Sequence, residues 1–404
     1  MITFNSLGSN YDYQFARMAV FARNEQKYSE QLQEYLQKKY TGEVALVYKG
    51  REALRLALRL IKDSGQARMT KEPLVGICGY TCFAVYDAVI KEGFGVTYLD
   101  IDAKSLHFSL ATLKQTVKEN PQLKILIIQN TLGYPCDMVG IHKFCQEKGI
   151  ILIEDLAHAI GSTYANGREA GTVGDFVALS FSQDKMIDGV TGGALVVRNQ
   201  KYAKLLQKET FVKVGEWKQL IDRLYPLFTV AIRKTYGVGL GKILHHLLRK
   251  SGLLARPMDE STQIQTLSPW YCLLIYSAFL DLESNREHRR KIARIYREVI
   301  DSRIQLRLAL SRSANLRFPL LVPQRESLIA YLKNSAVFVS DIWYDAPIGP
   351  KKFMQWTNYQ QGLCPNAEKI ADKMVNLPTH KNISQAQAKR IAQLVNKWLK
   401  ANYE

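Results

Sequence analysis

No two cysteines form a CxxC pair, no run of apolar residues is long, and no tract is repetitive or of low complexity. Each absence removes a class of protein. The six cysteines, Cys78, Cys82, Cys136, Cys145, Cys272 and Cys364, are scattered, which suits neither a zinc ribbon nor a disulfide framework. Reduced, mostly buried thiols of a cytosolic chain are expected instead. The opening MITFNSLGSNYDYQF has no basic stretch followed by an apolar one, so no secretory leader is expected. No apolar run approaches the roughly 18 residues of a membrane-spanning helix. What is present is an ordinary globular composition, 47% hydrophobic and 23% charged over 404 residues. At about 100–200 residues per domain, that length implies roughly two or three domains. Cations are in surplus, with 55 Lys and Arg against 37 Asp and Glu, a formal charge of +18. Such a surplus suits nucleic acid, an anionic membrane or an anionic substrate. No helix-turn-helix pattern with a basic recognition helix is found, so a nucleic-acid partner is not expected.

Residues 29–62 read as helical with a break near Gly42. Beyond them, short apolar runs at 74–77, 95–99, 124–128, 150–153, 176–180 and 194–197 alternate with helical stretches. Runs of that kind imply βαβ units around a mostly parallel sheet. Ligands of such sheets sit at the carboxyl ends of the strands. Residues 211–256 lack strand patterns and are both basic and apolar, with nine Lys and Arg against Glu216 and Asp222, a net of +7. A long helix is expected over 267–302, and 315–404 mixes short strands with helices. Ser384-Gln-Ala-Gln387 is a capping box opening a final amphipathic helix through Ile391, Leu394, Val395 and Trp398.

Two segments carry candidate chemistry. In Ile153 to Ser162, Glu154 and Asp155 directly follow an apolar strand, where a carboxylate faces a ligand edge. Taken alone, Asp155 reads first as a helix N-cap. In Ala178 to Val197, a strand ends at Ser180, and Lys185 follows five residues later with Gly189, Gly192 and Gly193 beyond. Taken alone, Lys185 is an exposed loop lysine; in a Ser-rich turn it is also a phosphate contact or a Schiff-base nucleophile. Together, Asp155, Ser180 and Lys185 match the needs of pyridoxal phosphate (PLP). That chemistry requires a carboxylate to keep the pyridine nitrogen protonated, a lysine to carry the cofactor and shuttle a proton, and small polar groups around the phosphate.

The chain resembles the DegT/StrS family of PLP-dependent sugar aminotransferases, which have the fold-type I architecture. The resemblance rests on Tyr48-Lys-Gly-Arg-Glu-Ala-Leu54, Gly79-Tyr-Thr-Cys-Phe-Ala84, Gly93 to Asp102, Gly133-Tyr-Pro-Cys-Asp-Met138, Glu154-Asp-Leu-Ala-His158, Gly174-Asp175 and Leu377-Pro-Thr-His380, in that order. It implies that Lys185 is the catalytic lysine, that Asp155 partners the pyridinium nitrogen and that His158 lies near the ring hydroxyl. It implies that Ser180 and the Gly50-Arg51 turn bind the cofactor phosphate, the turn opening a helix whose N-terminus favours an anion. Arg51 stands where the family has Thr; its guanidinium either grips the phosphate or points elsewhere. Cys82 occupies one position from which an aromatic usually covers the ring, leaving Phe83 or Tyr86 for that role. Tyr134, Trp343 and Tyr344 are candidate substrate contacts, although core packing accounts for such aromatics as readily. No metal is implied.

The chain also departs from the family. The segment Gly-Tyr-Asn-Tyr-Arg, whose Asn reaches the neighbouring subunit's cofactor phosphate, is absent, and Arg256 to Thr262 occupies its place. Thr191 stands where the family has Glu before Gly-Gly. Some relatives act as dehydratases with His in place of the lysine, and Lys185 argues against that branch. In 211–256, Leu220, Leu224, Leu227 and Ala231 recur at helical spacing. This is either an amphipathic helix on an anionic membrane or a helical insertion that packs on a dimer or roofs the site. His245-His246 has no metal spacing with other ligands.

The expected fold is α/β, a fold-type I aminotransferase with a mostly parallel seven-stranded sheet in a large domain, 1–262, and a smaller α+β domain, 263–404. The expected function is transfer of an amino group from Glu or Gln to a keto sugar, nucleotide-linked, for glycan, lipopolysaccharide or antibiotic sugars. Alternatives are a sugar dehydratase, another fold-type I enzyme, or a PLP-binding regulatory or membrane-surface protein. Resemblance implies PLP as cofactor and a homodimer with active sites at the subunit interface. The expected location is cytoplasmic, with a peripheral contact at the inner membrane face through 211–256.

Overall fold

The computed structural model describes residues 2–65, 73–102, 104–254, 262–339 and 343–403. Its frame follows from strands apolar on both sides. Within Leu123–Gln129, Ile125 and Ile127 enter one buried cluster while Leu126 and Ile128 enter another. A strand that buries both faces reads as a continuous apolar run, and it needs helices above and below. Helices Gly50–Asp63 and Phe83–Lys91 cover one face. Lys27–Tyr40, Met138–Lys148 and Pro269–Leu280 cover the other.

Seven principal strands form the sheet in the order Gly95–Leu99, Leu74–Cys78, Leu123–Gln129, Ile151–Asp155, Phe176–Ser180, Gly193–Val197 and Glu43–Val47. The first five run parallel, and Gly193–Val197 is antiparallel to both its neighbours. The two-residue strands Gln265–Thr266 and Val212–Lys213 extend the last edge, making nine. This is the α/β fold of the fold-type I aminotransferases.

Two local expectations need correction, and one is completed. The helical reading of 29–62 conceals the strand Glu43–Val47 between two helices. Gly42 lets that strand close on its neighbour, since a Cβ there would stand 2.5 Å from the Val197 carbonyl oxygen. The expected helix over 267–302 is two helices, Pro269–Leu280 and Leu282–Val299, meeting at Asp281. The first is apolar and buried under the sheet, the second charged and half solvated, and the chain turns where the environment changes. In Glu216–Thr235 the helical period is as expected, and the structure supplies its phase. The buried side carries Ile221, Tyr225, Val230 and Ile232, while Leu220 and Leu227 are exposed.

A third apolar cluster lies on the antiparallel pair Arg317–Leu321 and Met374–Pro378, with helices Arg325–Asn334 and Gln385–Tyr403 against it. The capping box is formed: Ser384 Oγ accepts from the Gln387 amide at 3.2 Å, and Gln387 Oε1 accepts from the Ser384 amide at 2.9 Å. All six cysteines are free, and all but Cys82 are buried. Among the described residues no helix is long and apolar enough to cross a membrane, and no cluster of His, Cys, Asp and Glu could hold a metal ion. The Arg256 to Thr262 segment lies outside the described residues up to its last position.

Candidate active site

The carboxyl ends of Ile151–Asp155 and Phe176–Ser180 open into a cavity of about 850 Å³. Asp155, the last residue of its strand, is buried there and takes a hydrogen bond from the Ala157 amide at 2.9 Å. Burial pushes its carboxyl above the usual range, and the Ala157 amide and Lys185 partly offset this. Glu154, its neighbour, has another use. Its carboxylate accepts from the amides of Gly171, Val173 and Gly174 at 2.7, 2.7 and 2.6 Å and from the Tyr164 hydroxyl at 2.6 Å. Glu154 therefore holds a loop, while Asp155 faces the cavity.

Lys185 follows a turn in which Asp184 is left-handed, with φ of 64°. Its Nζ lies 2.8 Å from His158 Nε2 and 5.1 Å from the centre of the Trp343 ring. Burial holds the amine below its usual value, and the nearby Cys82 and Asp155 partly restore it. A lowered lysine is a neutral nucleophile at lower pH than a free one. His158 is held well below its ordinary range by burial, with Lys185 and Arg317 adding to the effect. Its ring stacks on Trp343 at 5.4 Å, with 13° between planes.

Three of the residues expected at the site are elsewhere in the structure or point away. Tyr134 does not line the cavity; its buried ring packs in the core and its hydroxyl donates to the Arg317 carbonyl at 3.0 Å. Phe83 opens helix Phe83–Lys91 with its ring against Phe353, 5.2 Å away, so Cys82 rather than Phe83 faces the cavity. Tyr86 is turned away as well, its hydroxyl accepting from the Asn358 amide at 3.0 Å. Arg51 lines the cavity, and its guanidinium pairs with Asp87 at 3.0 Å. Trp343 and Tyr344 do line the cavity, and both touch the His158 ring.

The phosphate turn is close-packed. A Cβ on Gly50 would meet Ser180 Cβ at 2.5 Å, and one on Gly193 would meet the Gly50 nitrogen at 2.6 Å. Two glycines thus let the start of helix Gly50–Asp63 sit against the strand ends, and no side chain caps that start. Ser180 and Ser182 stand beside it, with their Oγ atoms 3.1 Å apart. Backbone amides at a helix start plus two hydroxyls form a suitable anion cradle. With a buried carboxylate and a buried amine near by, the residues present fit PLP.

Several contributors went unnoticed in sequence. Ser182, Gln129, Tyr48 and Thr81 line the cavity; Ser182, Tyr48 and Thr81 lie inside the segments that stand out in sequence, but no individual role marked them. The segment Ser9 to Tyr11 straps the lysine loop. Asn10 Nδ2 donates to the Lys185 carbonyl and to Asp188, both at 3.0 Å, and the Tyr11 hydroxyl donates to Asp188 at 2.6 Å. Thr191 Oγ1 donates to the Tyr48 carbonyl at 3.0 Å.

Helices Glu216–Thr235 and Leu240–Lys250 roof the cavity. The buried Asp222 carboxylate anchors them, accepting from the hydroxyls of Tyr48 at 2.5 Å and Tyr271 at 2.8 Å. Lys218, His245 and Arg249 line the cavity from this roof.

A mostly parallel sheet with a buried lysine, a strand-end carboxylate and a glycine-rich anion cradle at its carboxyl edge defines a PLP-dependent fold-type I aminotransferase. The chain belongs to the DegT/DnrJ/EryC1/StrS aminotransferase family, whose model matches residues 17–225 and 265–396. It is 25% identical over 354 residues to a UDP-N-acetyl-3-dehydro-alpha-D-glucosamine 3-aminotransferase of Acidithiobacillus ferrooxidans, covering 87% of this chain and 82% of that one. It is 23% identical over 322 residues to a pleiotropic regulatory protein of Geobacillus stearothermophilus, covering 78% and 76%. Its fold matches that of a Helicobacter pylori aminotransferase involved in the biosynthesis of pseudoaminic acid, with a TM-score of 0.73 at 16% identity over 99% of this chain and 100% of that one. The stretch between the two matched segments includes the whole helix Leu240–Lys250 of the roof.

Proposed function

We propose that the chain moves an amino group from glutamate or glutamine to the carbonyl of a keto sugar carried on an anionic, nucleotide-type handle, for glycan, lipopolysaccharide or antibiotic sugars. The observation that carries this reading is the Lys185 amine, 2.8 Å from His158, beneath a roof that turns Lys218, His245 and Arg249 inward. PLP, when bound, supplies an electron sink for the carbon that loses or gains a proton. Asp155 would keep the ring nitrogen protonated. The Gly50–Arg51 amides, Ser180 and Ser182 would hold the phosphate. His158 would face the ring oxygen, and Lys185 Nζ would carry the cofactor and then move the proton. Trp343 and Tyr344 would wall the reacting end, and the cations of the roof would hold the handle of the sugar. Lys185 itself weighs against the dehydratase alternative.

The test is direct. The purified yellow protein is mixed with L-glutamate or L-glutamine, the bleaching of its visible band and the keto acid released are measured, and nucleotide-linked keto sugars are then screened for amination by mass spectrometry. Bleaching followed by recovery with a keto sugar supports the proposal. Bleaching that only keto acids reverse would leave an aminotransferase with a different acceptor.

The division into a large unit, 1–262, and a small one, 263–404, remains part of the proposal; the separate cluster built on Arg317–Leu321 and Met374–Pro378 supports it. A homodimer is supported by the exposed Tyr13 and Phe21, on a helix that packs against the roof, and by the exposed Trp217 of the roof itself. Free cysteines suit a cytoplasmic location. Peripheral binding to an anionic membrane is supported by the outward side of the roof, where Val238, Leu240, Ile243 and Leu247 are 83%, 57%, 60% and 57% exposed beside Lys234, Lys242 and Lys250. The PLP-binding regulatory alternative would keep the cofactor but show no bleaching with any amino acid.

A further inference from the structure

Among the residues that line or border the cavity in a backbone conformation that L side chains rarely adopt, two converge on one side chain. Leu132, just beyond strand Leu123–Gln129, has φ of 55°, and Tyr344 has φ of 62°. A bulky side chain there costs energy, so the conformation persists only where the surrounding contacts hold it. Both residues aim a donor at the same atom. The Leu132 amide donates to His158 Nδ1 at 3.2 Å, and the Tyr344 hydroxyl lies 3.1 Å from that nitrogen.

The directions of these bonds follow from chemistry. A backbone N–H only donates, so Nδ1 bears a lone pair and the ring proton resides on Nε2. Gln129 Nε2 donates to the Tyr344 oxygen at 2.7 Å, which leaves the hydroxyl hydrogen free to point at Nδ1. Gln129 is itself oriented, with its Oε1 taking the Thr81 hydroxyl and its Nε2 also reaching Thr131 Oγ1 at 3.1 Å. The chain of donors therefore runs from Gln129 through Tyr344 to His158, whose Nε2–H donates to Lys185 Nζ, 2.8 Å away, in the state where that amine is neutral.

We propose that Tyr344, with the Leu132 amide, is a positioning residue that locks His158 as an Nε2–H donor aimed at the reactive amine, where it would also serve the ring oxygen of bound PLP. This rests on the aminotransferase reading for its consequence but not for its geometry. A donor to the ring oxygen stabilises that oxygen's negative charge and so makes the nitrogen that shares its proton less basic. Tyr344 polarises His158 and strengthens that donation. The charged and titratable groups facing His158 are Lys185, Tyr344 and Arg317, with Asp155 and Cys82 acting on Lys185 and Tyr344.

The test has two arms. In the cofactor-free protein, nitrogen-15 NMR of the His158 ring reads the tautomer without any catalysis. The expected result is a protonated Nε2 and an unprotonated Nδ1; a protonated Nδ1 overturns the proposal. In the cofactor-loaded protein, the pH midpoint of the visible band is compared in the wild type, Tyr344→Phe, His158→Gln and the double variant. Tyr344→Phe should raise the midpoint by about half a pH unit. It should change nothing further in the His158→Gln background, where no ring tautomer exists. An equal shift in both backgrounds, or none in either, overturns the proposal. A protein that takes up no PLP would refute the aminotransferase reading and leave the first arm standing.

Discussion

The strand edge that carries Asp155 and Lys185 and the two-helix roof that faces it do different work with different materials. The edge is built from buried groups held by short, directional bonds: Asp155 by the Ala157 amide, Lys185 by Asn10 through its carbonyl, His158 from both ring nitrogens. The roof is an amphipathic pair of helices with one buried anchor, Asp222, and cations on longer side chains. Chemistry needs atoms fixed to within tenths of an ångström, whereas holding a charged handle needs only charge of one sign near a cavity mouth. Changes at the edge should therefore abolish turnover, and changes in the roof should alter affinity.

The largest effect belongs to Lys185→Ala. It should remove the visible band and lower turnover by about 10³-fold or more, since the nucleophile and the proton carrier are lost together. Next come the two adjacent carboxylates, which separate chemistry from architecture within one strand. Asp155→Asn should lower kcat by about 10²-fold with little change in Tm. Glu154→Gln should do the reverse, destabilising the fold by about 2 kcal/mol in urea unfolding, because charge-assisted bonds to three amides are weakened. If both variants lose activity equally at full stability, the division between them is wrong.

Smaller changes are expected from the roof. Lys218→Ala and Arg249→Ala should each raise KM for an anionic sugar by roughly fivefold and leave kcat within about twofold, in a salt-dependent way. Ile243→Asp with Leu247→Asp should reduce binding to anionic vesicles while keeping stability within about 0.5 kcal/mol, as both side chains are solvated. The pH dependence of cofactor capture gives a finer test of the edge. Capture needs the neutral amine, and burial lowers Lys185 from 10.5. Lowering the value brings the neutral form to lower pH, so the capture rate should rise and level off below pH 10.5; a rate still climbing at that pH would show an ordinary lysine.

The edge was far more legible in sequence than the roof. Strands such as Leu123–Gln129 are buried on both faces and advertise themselves as apolar runs, and Asp155, His158 and Lys185 lie within a few residues of such runs. Glu43–Val47 was missed because its flanking helices carry strong periodicity and the strand itself is only five residues long. The assignment of Phe83 failed on phase. Cys82 is still extended and Phe83 opens the helix; across that change of backbone successive side chains point apart, and Cys82 took the inward place. Tyr134 failed because an aromatic in a ligand-edge turn and one in the core look alike until the turn's direction is known. The roof showed only that it was helical and basic. Where its cations point depends on the Asp222 anchor to Tyr48 and Tyr271, contacts spanning 174 and 49 residues of sequence. The strap from Ser9 to Tyr11 is likewise a long-range contact, with no local pattern to announce it.

One measurement bears most directly on the central claim that this edge performs amino transfer. The purified, cofactor-loaded protein is mixed with L-glutamate or L-glutamine in the absence of any sugar, and the visible band and the keto acid are followed together. The band should bleach as one equivalent of keto acid appears per active site, and Lys185→Ala should show neither change. A wild-type protein that carries PLP yet releases no keto acid from any amino acid would contradict the claim.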